Sequence, residues 1–175
     1  MIKVDVVPSN KDWRGLFEQE SAQIRAALGK NLVAIHHIGS TSIPGIYAKP
    51  IIDILVEVQD LARVDAQTET LVVLGYEAMG EYGIPGRRYF RKHSSAGVRT
   101  HHVHTFAVGS PQVQRHLAFR DYLTAHPEDA QRYSTLKQQL AQAHPNDIEA
   151  YMDGKDGFIQ EMDRKAAAWL ASLAK

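Results

Sequence analysis

The 175-residue chain contains no cysteine. That excludes disulfides, thiolate metal sites and cysteine nucleophiles together. It also lacks any run approaching the ~20 apolar residues that span a bilayer. Its first residues, MIKVDVVPSNKDW, carry no basic stretch followed by an apolar core, so they do not read as a secretion signal. The expected compartment is the cytoplasm. Net charge is absent too: 20 basic residues balance 20 acidic ones. No global field draws the chain to nucleic acid or an anionic membrane. Repeats and low-complexity tracts are missing as well.

What is present suits a soluble globular domain. Short β-branched runs fill the first two-thirds and helical periodicity fills the last third. This predicts an α+β fold, a mixed β-sheet packed with helices and followed by a helical C-terminal segment. A single domain over 1–175 is expected, with a sheet-containing core at 1–109 and helices at 110–175. Strands are expected at 2–7, 32–38, 50–58, 88–92 and 99–108. Asn10 reads as the N-cap of a helix ending at Gly29, and Asp60 as the cap of a helix ending at Gly75. Ser110 followed by Pro111 starts the helical part, which HP pairs at 126–127 and 144–145 punctuate. Two glycines frame Lys155 in YMDGKDGFIQEM, ahead of a further helix.

The stretch HHIGSTSIPGIYAKPIIDILVEV (36–58) carries the first chemical signal. Small residues in GSTS let backbone N–H groups approach a phosphate, and the hydroxyls add donors, so Gly39, Ser40 and Thr41 are candidate phosphate contacts. The same residues also suit a strand-to-helix connection with a Ser or Thr cap. Lys49 could neutralise phosphate or simply end a strand in solvent. Alternation along 50–58 turns Asp53 away from the apolar face of Ile52, Ile54, Val56 and Val58. Glu57 shares the Asp53 face, but its Cα lies roughly 13 Å away, too far to complete a metal site.

Nine histidines are present, and three fall in HHVH (101–104). His102 and His104 share a strand face and can converge on one ion with Asp53, as a His, His, carboxylate set. Hydrogen-bonded strand histidines are the plain alternative. His101 faces the other way. His37 could orient the loop or the site by a hydrogen bond while His36 points elsewhere, and structural packing is the plainer role for either. GRRYFRK supplies Arg87, Arg88 and Arg91, which match a small phosphorylated anion better than a nucleic-acid groove, or else a charged edge strand. Lys155 could reach a ligand or lie at the surface.

Five blocks in order, HIGSTSIPGIYAKPIIDILVEV, GIPGRRYFRK, HHVH, RHLAFRDYLTAHP and YMDGKDGFI, closely resemble the GrpB family from about residue 8 to 165. That family resembles the nucleotidyltransferase superfamily, whose mark is a GS turn followed by a strand with a D-x-D or D-x-E pair. Gly39, Ser40 and Asp53 match, while Leu55 stands at the second-acid position. The family's later H-x-H matches His102 and His104. Fusion of some relatives to dephospho-CoA kinase implies a link, or a protein partner, in coenzyme A metabolism.

The expectation is a metal-dependent nucleotidyltransferase-like protein acting on a nucleotide or phosphorylated small molecule. Asp53, His102 and His104 would hold one divalent ion (Mn, Zn or Mg), with Asp53 and Lys49 catalytic. The alternative is a catalytically inactive nucleotide- or phosphate-binding regulatory module.

Overall fold

The computed structural model describes residues 3–175. The chain divides into two compact units. One comprises Lys11–Gly39 and Ile51–Val113; the other comprises the residues up to Asn10, Ser40–Pro50 and Gln114–Lys175. The loop around GSTSIPG thus leaves the first unit and joins the second, where 1–109 was expected to form one core.

The first unit holds a five-stranded mixed sheet in the order β1-β2-β5-β4-β3. Its strands are β1 (Leu32–Ile38), β2 (Ile52–Val58), β3 (Tyr76–Ala78), β4 (Arg87–His93) and β5 (Arg99–Ala107). Only β2 and β5 run parallel; the other pairs are antiparallel. Ile52, Ile54, Val56 and Val58 are buried, as the apolar alternation of that strand requires. Helix α1 (Asp12–Leu28) packs on β1 and β2, burying Trp13, Ile24 and Leu28.

Some local expectations fail for identifiable reasons. The N-cap of α1 is Lys11, one residue beyond Asn10, and it makes no side-chain cap bond. Asp60 does cap a helix, accepting from Ala62 N–H at 2.8 Å. That helix breaks at Gln67 into α2 (Leu61–Ala66) and α3 (Thr68–Val73). The side chain of Gln67 donates to the Leu28 carbonyl at 3.0 Å, a tertiary contact invisible in the local pattern. Of the strand expected at 2–7, residue 2 lies outside the described residues and only Val7 bridges, to Ala48.

The second unit is helical: α4 (Pro111–Ala125, whose first turn belongs to the sheet unit), α5 (Pro127–Ala143) and α6 (Ile148–Leu173). Its core gathers Ile43, Ile46, Tyr122, Leu123, Tyr133 and Met162. Helix α6 runs straight through both glycines around Lys155, so that segment is not a loop before a helix. A Cβ on Gly154 would lie 2.4 Å from Leu140 Cδ2. The glycine is there to let α5 and α6 approach closely.

Candidate functional site

Residues paired across a sheet share a face. Ile38 pairs with Asp53, Asp53 with His102, and Leu55 with His104, while Tyr89 lies opposite His104 on β4. One face of the sheet therefore carries Asp53, His102, His104 and Tyr89, as the register of β5 on β2 and of β4 on β5 sets it. His36 also lies on this face, opposite Leu55, and its Nε2 is 2.7 Å from Glu57 Oε2. His37 lies on the other face, stacked on Phe17 with ring centroids 4.8 Å apart. His37 thus takes the plainer packing role, while His36 shares the face of Asp53, a placement that depends on register with β2.

Both imidazoles converge on one oxygen of Asp53. His104 Nε2 is 3.2 Å and His102 Nδ1 3.4 Å from Oδ1. Burial would raise the Asp53 carboxyl, but hydrogen bonds from His102 and His104 outweigh it and hold the group well below the usual carboxylate range. The side chain stays 26% exposed, so an ionised oxygen remains within reach of a ligand. Gly39 makes room for it: its φ is +73°, and a Cβ there would lie 2.6 Å from Asp53 Oδ2. Tyr89, which the sequence reading missed, packs its ring edge against His102 and lies 5.4 Å from the His104 ring. Its hydroxyl is pushed up to about 12, by burial first and the Asp53 charge second. Its place between Arg87 and Arg91, two residues from each on a strand, is the one sequence signal that could have flagged it.

The surroundings of the imidazoles decide whether Asp53, His102 and His104 fit a metal ion. A histidine that ligates through one nitrogen normally donates its other N–H to an acceptor. Behind His104 stands Arg87, whose Nη1 is 3.2 Å from Nδ1. A guanidinium can only donate, so Nδ1 accepts, and Nε2 carries the proton that faces Asp53. The Nε2 of His102 is buried without a hydrogen-bond partner among the described residues. Behind His104, then, stands a donor where a metal ligand normally has an acceptor. Among the described residues no group of three or more His, Cys, Asp or Glu side chains is placed to hold a metal ion. The expected three-ligand set comes together as a hydrogen-bonded carboxylate and does not fit the metal.

The second-acid position offers no substitute, since Leu55 is 0% exposed. Leu55→Glu should lower stability by roughly 3 kcal/mol or more by burying a carboxylate. A urea midpoint equal to the parent's would show that a second acid can be accommodated.

The arginines expected to clamp phosphate are engaged inside the protein. Arg87 is buried and donates to the carbonyls of Glu81 and Tyr82 at 3.1 and 2.8 Å, as well as to His104. Arg88 binds Asp65 through two nitrogens, at 2.7 and 3.1 Å. Arg91 does the same with Glu77, at 3.0 and 3.3 Å. These partners come from α2 and β3, outside the basic cluster, so the sequence could not reveal them.

The other candidate phosphate residues lie in the helical unit. Ser40–Ser42 forms a 3₁₀ turn, with Thr41 buried and Ile43 N–H donating to Ser40 O at 3.2 Å. The ammonium groups of Lys49 and Lys155 lie 5.4 and 5.0 Å from the centre of the Tyr151 ring. Lys155 is 8% exposed, and thus no solvated surface lysine.

Comparison with known proteins agrees with this architecture. YqkA, a UPF0157 protein of Bacillus subtilis, is 46% identical over 167 residues, covering 95% of this chain and 48% of YqkA. The chain therefore spans about half the length of that relative. A dephospho-CoA kinase of Mycolicibacterium paratuberculosis is 30% identical over 97% of this chain and 47% of its own. The crystal structure of GrpB from Enterococcus faecalis superposes with a TM-score of 0.89 at 45% identity, covering 93% of this chain and 96% of that one. The Cid1 poly(U) polymerase, solved with Mg 3′-dATP bound, superposes with a TM-score of 0.55 at 12% identity, over 78% of this chain and 43% of its own. That likeness shows the nucleotidyltransferase-type fold. Among the described residues no helix is long and apolar enough to cross a membrane. The GrpB protein family matches residues 3–165, and the chain belongs to that family.

Proposed function

We propose that this chain binds a nucleotide or another phosphorylated small molecule, with Asp53 as a single histidine-held carboxylate accepting a hydrogen bond from the ligand. The observation that carries this reading is the Asp53 centre itself. Two imidazoles hold the carboxylate ionised and oriented, Gly39 leaves space beside it, and part of it faces solvent. A carboxylate held so far below its usual range is a weak proton acceptor. It is better suited to orienting a ligand hydroxyl than to abstracting its proton.

The nucleotidyltransferase-type fold supports a nucleotide ligand, and the relative named a dephospho-CoA kinase makes coenzyme A and its precursor the first compounds to try. Metal-dependent nucleotidyl transfer is the more specific reading of the same fold. Buried Leu55 and the donor behind His104 favour a binding module that regulates a partner enzyme.

Calorimetric titration with ATP, other nucleotides, dephospho-CoA and coenzyme A, each with and without Mg²⁺, Mn²⁺ or Zn²⁺, separates the two. Binding should occur without a metal and without turnover. Asp53→Asn should weaken it about tenfold, the worth of one charge-assisted hydrogen bond. Metal-dependent turnover abolished by Asp53→Asn would instead establish the transferase. No binding of any of these ligands would defeat the proposal.

A further inference from the structure

Lysine is rarely buried without a partner. In the helical unit, Lys137 on α5 is 1% exposed, and its ammonium finds no hydrogen-bond partner among the described residues. It sits 4.3 Å from the centre of the Tyr133 ring, whose π-face is attractive to a cation but does not replace hydrogen bonds. The charges that bear on it are those of Lys155 and Lys49. Both of those ammonium groups stand near the ring of Tyr151, whose own hydroxyl is buried without a hydrogen-bond partner among the described residues.

Three cations from three separate segments have thus been brought together around two tyrosines. Mutual repulsion opposes that arrangement, and so does the desolvation of Lys137. Such a cluster is explained if an anion completes it. Lys137 provides the buried donor and Tyr151 a second; Lys49 is the more exposed of the cations.

We propose that Lys49, Lys137 and Lys155, set around Tyr133 and Tyr151, form an oligophosphate-binding site that takes the di- or triphosphate group of a ligand. Charge selects the class. Linked phosphates spread three or more negative charges over several acceptor oxygens and can face three ammonium groups at once, whereas orthophosphate carries only about −1.5 to −2 at neutral pH. The inference rests on the reading of the chain as a binder of phosphorylated ligands, but it uses residues of the helical unit alone.

Binding has a second signature. Burial, then Lys155 and Lys49, bring Lys137 down to about 7. An anion beside it restores the charged form, so at pH 8 the protein should take up about one proton as the ligand binds. Titration with inorganic tripolyphosphate in two buffers of different ionisation enthalpy measures affinity and proton uptake together. Pyrophosphate, orthophosphate, ATP and adenosine serve as further arms. We expect tripolyphosphate and ATP to bind, orthophosphate to bind at least tenfold more weakly, and adenosine not to bind at this site.

Lys137→Met should weaken tripolyphosphate at least tenfold and abolish the proton uptake. Lys49→Met and Lys155→Met should weaken binding while uptake persists. If nucleotides bind but tripolyphosphate does not, the lysine site is refuted and the broader function stands. Unchanged affinity and uptake in Lys137→Met would refute it equally.

Discussion

Replacing Lys137 by methionine should make the protein more stable, and the gain should depend on pH. The substitution keeps an unbranched chain of similar length and removes a buried ammonium that has no hydrogen-bond partner among the described residues. The folded state holds this group at about 7, against 10.5 for an ordinary lysine. Between those values the unfolded chain binds the proton and the folded one does not, so stability rises with pH across the interval. The shift corresponds to roughly 3–5 kcal/mol over that range. The advantage of Lys137→Met should therefore be largest at and below pH 7 and should shrink as pH approaches 10.5. Urea midpoints of both proteins at pH 6.5 and 9.5 test it, because other titrating groups are common to the two and cancel. A gap that stays constant with pH would mean Lys137 is not held in its uncharged form by burial. A more stable protein that has lost oligophosphate affinity is the expected trade when a site is built from groups the fold alone would not choose.

Gly39→Ala should be among the most damaging single substitutions in the sheet unit. The backbone there is left-handed, with φ +73°, and the added methyl would meet Asp53 Oδ2 at 2.6 Å and Asp53 Cβ at 3.0 Å. The first effect costs on the order of 1 kcal/mol. Because Asp53 is fixed by two imidazoles and its own strand, relief of the second requires that strand or loop to move. A total loss of roughly 2–4 kcal/mol is expected, a fall of about 4–16 °C in Tm for a chain of this size. Gly45→Ala is the control: its φ is +75°, yet nothing lies within 4 Å of the added Cβ. Equal losses in the two variants would show that the methyl at residue 39 is accommodated and that Gly39 does not serve Asp53.

These predictions draw on different levels of information. That His102 and His104 share a face follows from strand alternation, which is a property of the chain's covalent geometry. Placing Asp53 on that face needed the register of β5 on β2. Adjacency of β2 and β5 was needed to bring the three together, and nothing local specifies it. The face of His36, and hence its pairing with Glu57, needed the register of β1 on β2. Helix α6 passing through Gly154 needed Leu140 of α5 as its reason.

Charge was the least legible quantity. The cluster at 87–91 reads the same whether its arginines face a ligand or Asp65 and Glu77. Lys137 lies four residues after Tyr133, on the same helix face, beside Leu140 and among glutamines. That spacing could have placed it on the packed side of α5, but not shown it to lack a partner.

By itself, the sequence determined the strands β1, β2, β5 and most of β4, the helical C-terminal third, the family resemblance and the common face of His102 and His104. Those features are set by periodicity and by short-range sterics. Only the tertiary structure decided that Arg87 stands as a donor behind His104, that Leu55 leaves no place for a second acid, and that three lysines meet. Electrostatic character depends on what surrounds a charge, and those surroundings come from residues far apart in the chain.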